Sequence, residues 1–79
     1  MYFSTSDFER SVLQLMAAGH TDAAIARRHN VGKRTLERQV ASLMARVGAP
    51  SRLALGAIAA QHKWIDLDRL LKDGQQEGV

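Results

Sequence analysis

The stretch NVGKRTLERQVASLMARVG, residues 30–48, decides the fold. Leu36, Val40, Leu43, Met44 and Val47 recur at the three- and four-residue spacing of one helical face, which predicts a helix from about Lys33 to Val47 seated on a core. Gly48 and Pro50 close it. Just upstream, Asn30 tolerates the left-handed conformation that ends a preceding helix, Val31 plugs the core, and Gly32 caps the new helix. At 100° per residue, Arg34, Arg38, Ala41 and Ala45 fall opposite the apolar stripe. Glu37 and Ser42 flank them, and Thr35 lies beside Ser42.

Working outward toward the N-terminus, Thr21 is a candidate N-cap for a short helix, DAAIARRH, whose Ile25 faces inward and whose alanines let another helix approach closely. Before it, Ser6-Asp7-Phe8-Glu9 reads as a capping box. Phe8, Val12, Leu15 and Met16 then form one buried stripe, and Gly19 stops that first helix. Toward the C-terminus, Ser51 caps a fourth helix, RLALGAIAAQHKW, in which Leu55, Ile58 and Trp64 are available for packing. The tail DLDRLLKDGQQEGV adds a last turn or two through Leu67, Leu70 and Leu71 before a polar end that frays. Asp66 and Asp68 stand at the start of that segment, where the helix dipole favours them. The expected organisation is an N-terminal arm over 1–5, a domain over 6–65 and a C-terminal helical extension over 66–79. The expected fold class is all-α, a compact domain of four or five helices with a helix-turn-helix between the second and third.

Size and composition bound the function. A chain of 79 residues carries one modest core and falls short of the usual size for an enzyme cleft, so a binding module is expected and an enzyme is not. With no cysteine, neither a disulfide framework nor a thiolate metal site is available. His20, His29 and His62 show no metal-ligand spacing and no paired nucleophile, so no catalytic residue, metal or cofactor is expected, and surface or capping roles suit them. Aromatics make up 5%, too few to stack on single-stranded bases. The longest apolar runs are far too short to cross a bilayer, which leaves a cytoplasmic location as the expectation.

Charge is segregated. Residues 27–52 hold Arg27, Arg28, Lys33, Arg34, Arg38, Arg46 and Arg52 against Glu37 alone, a net +6, while the rest of the chain sums to −3. A duplex major groove admits one helix such as 33–47, where arginine can bond two acceptors on guanine and small residues let the backbone come close. Arg34 and Arg38 face that way. Arg27, Arg28, Lys33, Arg46 and Arg52 stand nearer the groove walls as candidates for phosphate, with the hydroxyl of Ser42 among them. Five or six such contacts imply a log-log salt slope of about −5. An arginine-rich face is by itself equally consistent with solvated surface, so the order of the motif must decide.

That order resembles the C-terminal DNA-binding domain of LuxR/GerE-type bacterial transcription regulators, over roughly residues 5–65. The likeness rests on Glu9, the LMAAG ending at Gly19, the IARR at Ile25 to Arg28, the RTL at Arg34 to Leu36, the LMARVG ending at Gly48 and the Ser51-Arg52 pair. It implies a four-helix domain whose third helix reads double-stranded DNA in the major groove. The fourth helix, 51–63, often pairs two copies on an inverted repeat, and RNA polymerase is a plausible partner of such a regulator. By position, Thr21 and Thr35 resemble phosphate contacts, while Glu37, Arg38 and Ala41 fall where such domains present side chains to bases.

Two departures stand out. Glu37 replaces the lysine common there, and Gln39 stands where histidine usually follows. Either Glu37 accepts from a cytosine amino group, or it pairs with Arg34 or Arg38 and orders it. The alanines and Gly56 of the fourth helix serve either close packing inside the monomer or a dimer seam. Glu37 and Gln39 also keep open an alternative function: a helix-turn-helix scaffold that binds an acidic protein and no DNA.

Overall fold

The computed structural model describes residues 5–70. Four helices follow in order: α1 (Asp7–Ala17), α2 (Asp22–Arg28), α3 (Lys33–Val47) and α4 (Arg52–Gln61). A further helical turn opens at 67–70. Among the described residues there is no strand. The expected arm before Thr5 and the tail after Leu70, with Leu71, lie outside the described residues.

Local chemistry sets the ends of these helices. The Ser6 side chain accepts from the Glu9 amide while the Glu9 carboxylate accepts from the Ser6 amide, completing the capping box of α1. Thr21 and Ser51 cap α2 and α4 through the amides of Ala24 and Ala54. Gly32 caps α3 by backbone alone, with no side-chain bond. Asn30 takes the left-handed conformation at φ 59°, which turns the chain between α2 and α3, and Gly48 ends α3 at φ 74°.

The core collects Ile25 and Ala26 from α2, Leu36, Val40, Leu43 and Val47 from α3, and Leu55 and Ala59 from α4. Val31 packs against it from the turn. Four of the five residues of the predicted α3 stripe are buried, and the fifth, Met44, is half-buried at its edge.

Two expectations shift. On α1, the buried side chains are Val12, Leu13 and Glu9, while Phe8, Leu15 and Met16 are only partly covered. The core covers α1 from an angle rotated by one position, because α3 and α4 both press on Leu13 and not on the Leu15 edge. The fourth helix stops at Gln61, three residues before the expected Trp64. His62 caps it, Lys63 turns left-handed at φ 61°, and the Trp64 amide donates back to the Ala59 carbonyl at 2.8 Å. That reversal swings Trp64 and Ile65 under the domain, where both are buried.

The last turn is fastened to α1. The Gln14 side chain donates to the Asp66 carbonyl at 3.2 Å and accepts from the Asp66 amide at 2.7 Å. Asp66 in turn caps the new turn through the Arg69 amide.

Candidate nucleic-acid interface

The buried stripe of α3 fixes what its other sides present. Lys33, Arg34, Thr35, Glu37, Arg38, Gln39, Ala41, Ser42, Ala45 and Arg46 are all exposed. Opposite the stripe lie Arg34, Arg38, Ala41 and Ala45, a face with two guanidinium groups and little bulk between them. Thr35, Arg38, Gln39 and Ser42 line a shallow notch along one edge of that face. Neither Arg34 nor Arg38 forms an ion pair among the described residues.

The flanks of α3 differ from its outer face. On one flank, Arg46 reaches across to Glu9 of α1 in an ion pair. Glu9 is the sole buried charged residue of the described chain, at 9% exposure. Burial raises its pKa, but the Ser6 amide, the Thr5 hydroxyl and Arg46 together outweigh this and hold the carboxyl below its ordinary value.

On the other flank, Arg52 at the start of α4 grips Asp22 at the start of α2 with both guanidinium nitrogens, each at 2.8 Å. Those hydrogen bonds lower the Asp22 pKa against the opposing effect of burial, and the charges of Arg52 and Lys33 add to the shift. The Arg52 pKa rises, first through the Asp22 hydrogen bonds and also through the charges of Asp22 and Glu37, with burial opposing. Lys33 and Glu37 therefore edge this second cluster from α3.

Two of the phosphate candidates carry an ion pair inside the domain. Arg46 and Arg52, read from sequence as phosphate contacts, are each held by a carboxylate far along the chain. Of the other phosphate candidates, Thr21 accepts from the Ala24 amide as the cap of α2, which leaves its O–H to donate, Arg27, Lys33, Thr35 and Ser42 are exposed, and Arg28 borders a cavity beside α1. Glu37 forms no ion pair with Arg34 or Arg38 among the described residues; its field is felt at Arg52. Sequence reading gave Asp22 no partner, and gave Glu9 the capping box and a place in the motif without Arg46 as its partner. Among the described residues, no group of histidine and carboxylate side chains is arranged to hold a metal, and no helix is long and apolar enough to cross a membrane.

A helix-turn-helix with a bare, arginine-bearing third helix is thus in place. Residues 4–59 match the model of bacterial regulatory proteins of the luxR family. The chain belongs to the LuxR family. The LuxR match spans all four helices except the last turn of α4 and stops short of Trp64, Ile65 and the Gln14-clamped segment. The bialaphos biosynthetic pathway regulatory protein of Streptomyces hygroscopicus is 45% identical over 56 residues, 71% of this chain. The chain spans 22% of the length of that relative. No solved structure matches. A LuxR-type helix-turn-helix is a DNA-binding unit of transcription regulators, and the fold carries it here.

Proposed function

We propose that this domain binds double-stranded DNA sequence-specifically, with α3 in the major groove, as part of a bacterial transcription regulator. The observation that carries the reading is the outer face of α3, where Arg34 and Arg38 are exposed and unpaired beside Ala41 while the opposite face is wholly buried. An arginine so placed can donate to both acceptors of guanine. Glu37, on the α3 flank that Arg52 borders, is free to accept from a cytosine amino group, and its contact would make it a specificity residue.

The phosphate contacts then fall to Arg27 and Lys33, with the hydroxyls of Thr21, Thr35 and Ser42. With Arg46 and Arg52 engaged internally, the expected log-log salt slope is about −2, shallower than the −5 of the sequence count. The deciding experiment is selection of bound duplexes from a random library, run for the wild type and for Glu37→Lys. An enriched motif whose preferred bases change with the substitution supports base reading by α3. If the wild type enriches nothing and retains no duplex on a salt gradient, the reading fails and the acidic-protein scaffold takes its place.

Self-association through α4 is part of the same proposal. Leu53 is 86% exposed on α4, and with Gly56, Ala57 and Ala60 it borders an apolar groove of about 470 Å³ between α4, α1 and the last turn. Leu55 and Ala59 point the other way into the core, so the dimer seam falls, on this reading, to Leu53 and the small residues beside it. Leu53→Glu should shift sedimentation toward the monomer, most clearly on an inverted-repeat duplex. Contact with RNA polymerase would be a further role of the bound regulator.

A further inference from the structure

Away from α3, a second cationic site is built between the end of α1, the end of α2 and the last turn. Ser11 and Gln14 of α1, His20 of the following loop, Arg28 of α2 and Arg69 of the last turn border a cavity of about 310 Å³. No residue of α3 lines it. That volume is at the small end of the range for ligand clefts.

The placement of these side chains is constrained at several points. Gln14 holds both backbone polar groups of Asp66, and the Asp66 carboxylate accepts from the Arg69 amide, so Arg69 is carried on a turn locked to α1. Leu70 packs against the core directly behind it. Ser11 Oγ lies 3.0 Å from His29 Nε2, and the Phe8 ring meets His29 edge-on at 5.0 Å, which fixes the hydroxyl at the cavity wall. Neither Arg28 nor Arg69 forms an ion pair among the described residues. The Asp66 carboxylate is committed to its cap.

Two planar guanidinium forks, an imidazole and a hydroxyl around one small cavity suit a tetrahedral, multiply charged oxyanion better than a carboxylate. A phosphate offers enough oxygens to accept from both forks at once. We propose that this cavity binds a phosphate group, independently of the α3 face. Asp66 and Arg69 lie beyond the family match, which ends at residue 59, whereas Ser11, Gln14, His20 and Arg28 lie within it.

The phosphate could come from a small free molecule or from a DNA backbone passing behind the domain, and two arms separate the sources. In the first, the purified chain is titrated with inorganic pyrophosphate and followed by amide NMR. Saturable shifts are expected at Ser11, Gln14, His20 and Arg69. Arg28→Ala and Arg69→Ala should each weaken the titration about tenfold, Arg69→Lys by less, and Arg38→Ala not at all. Unchanged signals elsewhere in the variant spectra verify the fold.

In the second arm, the salt slope of duplex binding is measured for the same variants. A slope reduced by about one for each arginine identifies a DNA phosphate as the natural occupant. An unchanged slope with the pyrophosphate titration intact identifies a small phosphorylated molecule. Pyrophosphate shifts spread evenly over the α3 basic residues and indifferent to Arg28→Ala and Arg69→Ala, together with an unchanged slope, would overturn the site.

Discussion

The outer face and the flanks of α3 carry the same residue type to opposite ends. Arg38 and Arg34 stand exposed with no ion pair among the described residues, whereas Arg46, two turns further on, is drawn down to Glu9. Arg52, next to α3 in space, is likewise held by Asp22. The difference lies in what packs alongside: α1 brings Glu9 to one flank, and α2 and α4 bring Asp22 and Arg52 together at the other. Among the described residues, nothing packs against the outer face. A basic helix therefore divides into arginines that hold the domain and arginines that remain available to a partner.

The strongest test of that division is Arg38→Ala. It should cost about 1–3 kcal/mol of DNA affinity, concentrated at one base pair, with no change in melting temperature. A uniform loss on all sequences would place Arg38 with the phosphate contacts instead.

Next in size is the pair on the α1 flank. Glu9→Ala should lower stability by about 1–2 kcal/mol, because capping and ion pairing are lost together, and Arg46→Ala by less, because only the pair is lost; a domain this small shifts several degrees for each kcal/mol. Duplex affinity of the folded Arg46→Ala protein should stay nearly unchanged. If instead affinity drops equally for every sequence and melting does not move, Arg46 faces phosphate and the division fails at that flank. Acid gives an independent check. The folded-state pKa values of Glu9 and Asp22 are both depressed, so their contribution is complete above the unfolded carboxylate values near pH 4 and is lost as pH falls through the folded values. Melting temperature should fall on acidification below about pH 4, and less steeply in Glu9→Gln.

The smallest effect belongs to the other flank. Both partners of the Asp22–Arg52 pair retain solvent contact, so Arg52→Ala should cost about 0–1 kcal/mol, less at high salt. Its value lies in Glu37: removing Arg52 takes away one of the cations near that acid. Duplex affinity that falls on Arg52→Ala and returns with Arg52→Ala/Glu37→Gln would show that the pair offsets the repulsion between Glu37 and phosphate. Equal affinity for both variants would leave Glu37 acting alone.

Much of the fold is legible in the chain because its signals are short-range. Ser6 with Glu9, Thr21, Ser51, Asn30 and Gly48 each act within about four residues, and they set helix ends where the sequence places them. The α3 stripe is equally local, since a 3.6-residue repeat needs no knowledge of its partner. Where the sequence reading slipped, the cause was non-local. Leu13 is buried over Leu15 because of which helices press on α1, and α4 ends early because Lys63 adopts a left-handed turn that no glycine announces.

The sequence by itself determined the helix-turn-helix, the register of α3 and the basic character of its surroundings, because propensity, capping and periodicity operate within a turn or two. Only the tertiary structure decided which arginines are spent and which are free. Glu9 meets Arg46 across 37 residues, Asp22 meets Arg52 across 30, and Gln14 meets Asp66 across 52. Such pairings arise from packing geometry between helices, and no local pattern in a chain encodes them.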